Sequence, residues 1–215
     1  MKILLLFLTL GFSQYNYSLI DNNNSSEHYL ESVGPDYFEN QVTMHYFGSF
    51  TWGLCNSRFA QLNTLYESLI ENGYDQVKLI GIGYSYQSNS YSNWSNSNEF
   101  SSVCYDNSNN PTFNSWGASQ RDFYVLDHEK NLVLEQNISG GLPDNLESLI
   151  ISLINNIPNE TTSGDFNQDG ILNVVDVVSI INLVLTNQYN QIADMNEDNL
   201  LNVVDIVLLV NLIIS

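Results

Sequence analysis

The chain has 215 residues, 43% of them hydrophobic and 13% charged, and 5 Lys+Arg against 24 Asp+Glu give a formal charge of −19. That length suits one medium domain plus a small one. So large an acid excess excludes a nucleic-acid or anionic-lipid surface, which needs a basic face, and favours cation binding wherever carboxylates are placed to share a metal.

In chain order, Lys2 precedes an apolar run from Ile3 to Phe12, with Gly11 and Ser13 as small residues at the −3 and −1 positions of a cleavage point. This is the layout of a secretory signal peptide, residues 1–13, and it predicts a protein that is extracellular or attached to a cell surface. Val42 to Phe47 reads as a strand, and "SFTWGLC", residues 49–55, follows it. Arg58 to Ile70 carries Phe59, Leu62, Leu65, Tyr66, Leu69 and Ile70 at helical spacing and closes at Gly73; Val77 to Tyr84 is a strand again. Residues 85–102 are rich in Ser, Asn and Tyr. They form either a flexible insertion or a binding loop whose Tyr84, Tyr86, Tyr91 and Trp94 offer stacking faces to a sugar or peptide beside Trp52. Cys104 lies on a strand in "FSSVCYD". Asp122 to Leu126, a turn at Asp127 to Asn131, Leu132 to Leu134 and a helix from Pro143 to about Asn156 complete the body. The order βαβ, hairpin, helix predicts an α/β domain with a central sheet over residues 14–157, its core about 40–156. His28, His45 and His128 have no ligand spacing, and no G-x-S-x-G elbow is present.

The tail carries a repeat. Residues 165–176 read DFNQDGILNVVD, and 29 residues later 194–205 read DMNEDNLLNVVD. Calcium loops want oxygen donors at positions 1, 3, 5, 9 and 12 and a backbone carbonyl at 7. Those positions are Asp165, Asn167, Asp169, Asn173 and Asp176 with the carbonyl of Ile171, then Asp194, Asn196, Asp198, Asn202 and Asp205 with that of Leu200. Two calcium ions are expected. Position 6 needs φ > 0, which Gly170 adopts freely and Asn199 at some cost. Pro158 and Gly164 leave no room for a helix entering the first loop, so each repeat is a loop plus an exit helix.

This doubled loop and helix, with Asp at position 12, resembles a type I dockerin domain over residues 164–215, joined to the body by a linker at 158–163. The resemblance implies a small all-α, calcium-dependent module that docks a cohesin-type domain on a scaffold or cell surface. Family recognition centres on positions 10 and 11, here Val174 with Val175 and Val203 with Val204, where dockerins often carry small hydroxyl residues.

"LCNSRFAQLNTLYESLIENGYDQVKLIGIGY" and "WGASQRDFYVLDHEKNLV" resemble the N-terminal domain of selenoprotein P, a thioredoxin-like fold with a U-x-x-C or C-x-x-C motif. By that likeness Trp52 replaces the reactive first residue, Cys55 matches the resolving cysteine, and Arg121 stands near the place of the usual cis-proline. Without the first thiolate, dithiol exchange within the motif is impossible. Cys55 and Cys104 remain, and an even cysteine count in a secreted protein makes a bridge between them the default. A structural disulfide, a redox-active catalytic pair and two separate thiols all stay open. The main expectation is a secreted protein that docks through calcium and carries a thioredoxin-like domain without conventional redox activity. The alternative is an extracellular thiol-disulfide oxidoreductase or thiol peroxidase using Cys55 and Cys104.

Overall fold

A computed structural model describes residues 15–95, 100–158, 164–167, 171–196 and 198–214. The expected signal peptide, linker residues 159–163, and loop residues Asp169 and Gly170 lie outside the described residues. The chain separates between Ile157 and Pro158 into two compact units.

The first unit is built on seven strands and four helices: β1 (Leu19–Ile20), β2 (Ser32–Val33), β3 (Val42–Gly48), α1 (Gly53–Glu71), β4 (Val77–Gly83), α2 (Ser92–Ser95), β5 (Ser102–Tyr105), α3 (Pro111–Trp116), β6 (Asp122–Leu126), β7 (Leu132–Asn137) and α4 (Leu146–Asn155). Five strands form one sheet in the order β5-β4-β3-β6-β7. β3, β4 and β5 run parallel, while β6 and β7 return antiparallel as a hairpin. All seven residues of β3 are buried, as a central strand covered on both faces requires. Alternation sends Met44, Tyr46 and Val103 to the face shared with α1 and α4, and Phe47, Ile82 and Cys104 to the face packed on α3 and the N-terminal segment.

α1 starts five residues before the expected Arg58, because its buried stripe begins at Cys55 and continues through Phe59, Leu62, Tyr66 and Leu69. Counting Cys55 as an active-site residue hid it as a core residue. α3, which the apolar pattern did not announce, is held at its start by buried Asp106. That carboxylate accepts from Thr112 N (2.9 Å), Phe113 N (3.0 Å) and Thr112 Oγ1 (2.8 Å). β1 and β2 pair with one another, and the segment after β1 latches onto the β5 edge. Asn22 N donates to Val103 O, and Asp21 Oδ1 accepts from Val103 N at 3.0 Å. Such a latch covers an edge otherwise open to pairing.

In the second unit, α5 (Val174–Thr186) and α6 (Val203–Ile214) flank a 3-10 turn at Gln191–Ala193. Val177, Ile180, Ala193 and Leu209 form its small core. Gly164 has φ +95°, and a Cβ there would stand 2.5 Å from the Leu209 side chain, so a larger residue at this entry to the first loop would be strained and would push Leu209 aside. Among the described residues, no helix is long and apolar enough to cross a membrane.

Candidate functional site

The turn after β3 is pinned from a distant part of the chain. The Gln87 side-chain carbonyl accepts from Ser49 Oγ and Phe50 N, both at 3.0 Å, while Asn93 Nδ2 donates to Phe50 O at 2.9 Å. Trp94 Nε1 donates to Asn56 Oδ1 at 2.8 Å, and its ring stacks on Phe59 with centroids 4.4 Å apart. The Ser/Asn/Tyr interval is therefore a 3-10 turn (Ser85–Ser90) and α2, folded against the turn, as far as Ser95. Trp94 is fully buried, which removes it from the expected stacking surface. Tyr84 packs face to face on Phe113 and on Tyr86, and Tyr86 is strongly exposed. Only part of the expected aromatic platform is thus presented to solvent.

At the helix start, Trp52 is the N-cap, extended at φ −99° and ψ 121°, with no side-chain cap and 55% exposure. Cys55 lies one turn inside and is buried. Arg121 Nη1 donates to its Sγ at 3.8 Å, and Tyr46 Oη donates to its backbone carbonyl at 3.2 Å. Arg121 is held at φ +71°, with Nε donating to Ser139 Oγ at 2.7 Å, and the described residues contain no cis peptide bond. Arg58 caps the neighbouring loop through Ile138 O and Ser139 O. One thiol, one guanidinium and an exposed indole make up the turn.

Cys104 is elsewhere. Its side chain packs on the opposite face of the sheet from Cys55, and its Sγ is 4.0 Å from Leu19 O. Burial, reinforced by the Asp21 carboxylate, pushes this thiol well above its ordinary pKa, so it stays protonated and unreactive. Both cysteines are free. The expected bridge and the redox pair of Cys55 with Cys104 are accordingly corrected: the sheet stands between them. Strand alternation explains the error, since Val103, one residue away, faces the Cys55 side.

His45 is also a packing residue. Its Nδ1 meets Tyr17 Oη at 2.7 Å and its Nε2 meets Thr43 Oγ1 at 2.8 Å, and burial pushes its pKa down to about 3.

In the second unit the two loops share the bonds that tie the last aspartate and the capping asparagine to the loop. Asp176 accepts from Phe166 N (3.0 Å), Asn167 N (3.3 Å) and Asn173 N (2.9 Å). Asp205 accepts from Met195 N (3.0 Å) and Asn202 N (2.8 Å). Asn173 and Asn202 each cap their helix through the N–H two residues on, at 2.8 Å. Asp194 accepts from Asp198 N, Asn199 N and Tyr189 Oη, and Asn199 takes the left-handed conformation that position 6 requires, φ +64°. Asp165, Asp176, Asp194 and Asp205 are at most 4% exposed.

The donor set suits a hard divalent cation in chemistry. Between Pro158 and Ser215 there are eight acidic residues and no Lys, Arg or His, so no side chain of this unit can neutralise the buried carboxylates. Its geometry is closed on itself: among the described residues no three of Asp, Glu, His and Cys converge as a metal cluster. Both position-9 asparagines act as caps, and their amides donate to Ile171 O at 2.8 Å and Leu200 O at 3.4 Å. Position 9 commonly reaches calcium through water, so this role is compatible with the ion. The absence of cations in the tail was visible in the sequence and adds to the loop spacing.

The sequence matches no known family profile, and no curated protein is detectably similar to it. Solved structures are similar to it in fold. The thioredoxin domain of a thiol-disulfide oxidoreductase from Bacteroides vulgatus has a TM-score of 0.53 at 11% identity, covering 67% of this chain and 96% of that one. BsSco, of the Sco family of cytochrome c oxidase assembly proteins, has 0.53 at 11%, covering 68% and 96%. MTB DsbF has 0.52 at 12%, covering 66% and 98%. At this identity the matches establish a fold: the chain contains a thioredoxin-like α/β domain.

Proposed function

We propose that this is an exported protein whose C-terminal unit is a calcium-dependent docking module of the dockerin kind, carrying a thioredoxin-like domain of the selenoprotein P type as its passenger. One observation carries the reading: four buried aspartates, arranged twice in the same pattern, in a unit without a single basic residue. A divalent ion at each loop would take Asp165, Asn167, Asp169, Asn173, Asp176 and the Ile171 carbonyl, or Asp194, Asn196, Asp198, Asn202, Asp205 and the Leu200 carbonyl, as its donors. Val174, Val175, Val203 and Val204, each about half exposed or more, supply the apolar face for a cohesin-type partner. Calorimetric titration of the full chain with calcium should give two sites, and a chelator should loosen residues 164–215 and release an immobilised cohesin-type domain. No heat with calcium, together with unchanged protease resistance in chelator, would overturn the reading.

A second reading rests on the Arg121 contact to Cys55 in a fold shared with named thiol-disulfide proteins. It is single-thiol chemistry, as an oxidoreductase or thiol peroxidase, with Cys104 taking no part. Insulin reduction or peroxide consumption that disappears in Cys55→Ser supports it, and activity unchanged by that substitution removes it.

A further inference from the structure

A cavity of about 790 Å³ opens at the end of the central sheet where β3 and β4 begin, lined by Gln41, Tyr66, Ile70, Lys78, Glu27 and Phe100 among others. The Cys55 turn follows the other ends of those strands. Tyr66 lies eleven residues along α1 from Cys55, about 16 Å at the helical rise. The cavity is therefore separate from the turn, and it falls in the size range of small-molecule sites.

Two polar groups there lack partners. Tyr66 buries its ring in the wall, and its hydroxyl, which bonds no other described group, opens to the cavity as a donor. Gln41 Oε1 is buried and accepts no hydrogen bond. A buried acceptor is normally satisfied, so Gln41 Oε1, with the Tyr66 hydroxyl as an open donor on the same cavity wall, calls for a ligand that can both donate and accept. Ile70, Phe100 and the Tyr66 ring supply apolar surface beside them. Of the charges in the wall, Lys78 Nζ pairs with Glu27 Oε1 at 2.5 Å and Asp75 is left in excess. An anion would be repelled by Glu27 and Asp75, and a cation drawn to Glu27 would have to compete with Lys78.

We propose that this cavity binds a neutral polyhydroxylated ligand, a mono- or disaccharide, with Tyr66 Oη and Gln41 Oε1 bonded to its hydroxyls and its apolar face against Phe100 and Ile70. Sugars present hydroxyls that donate and accept at once, together with C–H faces that suit aromatic rings. The proposal is independent of calcium and of Cys55.

The test is saturation-transfer NMR on the full chain with glucose, galactose, maltose and lactose at millimolar concentration, repeated in chelator, with putrescine and acetate as charged probes. At least one sugar should bind. Tyr66→Phe keeps the buried ring and Gln41→Leu keeps the volume; each should weaken that sugar about tenfold, the worth of one buried hydrogen bond. Near-UV circular dichroism should show both variants folded, and if one unfolds the other decides. The proposal fails if no sugar binds and the cavity holds only water, if a folded variant binds as tightly as the native chain, or if a charged probe outcompetes every sugar.

Discussion

In the first unit buried Asp106 collects Asn107 N, Thr112 N, Thr112 Oγ1 and Phe113 N at 2.8–3.0 Å, and buried Asp21 accepts from Asn23 N and Val103 N, whereas in the second unit four buried aspartates share fifty-eight residues with no basic side chain. Oriented N–H dipoles suffice for one isolated carboxylate at a helix start. They do not cancel the mutual repulsion of several carboxylates gathered in one loop. The first unit also has its cations at hand: Lys78 pairs with Glu27, and Lys130 with Asp36 at 3.0 Å. Both units are acidic overall, but only the second gathers its buried carboxylates in paired loops with no basic side chain at all, so only the second should depend on an added ion.

The largest break in that contrast is a core change confined to the first unit. Trp94 packs on Phe59, Tyr46 and Phe50 and bonds Asn56, so Trp94→Ala should cost about 3–5 kcal/mol. All three tryptophans precede residue 158, so fluorescence reports the first unit, and ellipticity that changes on adding calcium would report the second. Urea unfolding followed by both signals should move the first midpoint and leave the second in place. A shift of less than 1 kcal/mol would show the interval around Trp94 to be the loose insertion its composition suggests.

A smaller effect separates the units by pH. His45 titrates near 6.5 when unfolded but is pushed down to about 3 when folded, so below about pH 6.5 the unfolded chain binds the extra proton. Its contribution is complete above pH 6.5 and is lost as pH falls toward 3, with a slope approaching 1.4 kcal/mol per pH unit. His45→Gln should flatten the acid limb of the tryptophan-detected stability curve even though it lowers the plateau. An unchanged slope would mean that another group drives the acid sensitivity.

The two units were legible in the sequence to different degrees. Period-two and helical spacings placed β3, β4, β6 and the body of α1, because those elements are buried on regular faces. α3 and the β1–β2 latch escaped because their cause is polar and long-range: Asp106 reaches six residues ahead, and Asp21 reaches 82. At the turn, motif position identified Cys55, but it could not show that Cys104 faces away across the sheet. That is a matter of pleat parity, which a one-residue slip in register reverses. In the tail, the repeat within twelve residues was legible, and the structure gives it matching cap bonds at Asn173 and Asn202, which are likewise set by local spacing.

The smallest effect tests which side of the tail helices is free. Val174, Val175, Val203 and Val204 are 47–67% exposed, whereas Val177, Ile180 and Leu209 hold the core, so an Asp pair at either valine pair removes little packing. Two opposing charge effects nearly cancel: a carboxylate in the first turn of α5 or α6 favours the helix dipole, but it repels Asp176 or Asp205 close by. We expect each double mutant, V174D/V175D or V203D/V204D, to stay within about 0.5 kcal/mol of the native tail and to keep its calcium affinity within a few-fold. If the repeats present equivalent faces, either double mutant should still bind a cohesin-type domain through the other repeat, and the quadruple mutant should lose binding altogether. Thermal melts of the tail beside calcium calorimetry decide the first point. A drop of several kcal/mol in one double mutant would place that valine pair in the core, because an unpaired carboxylate is costly only where water cannot reach it.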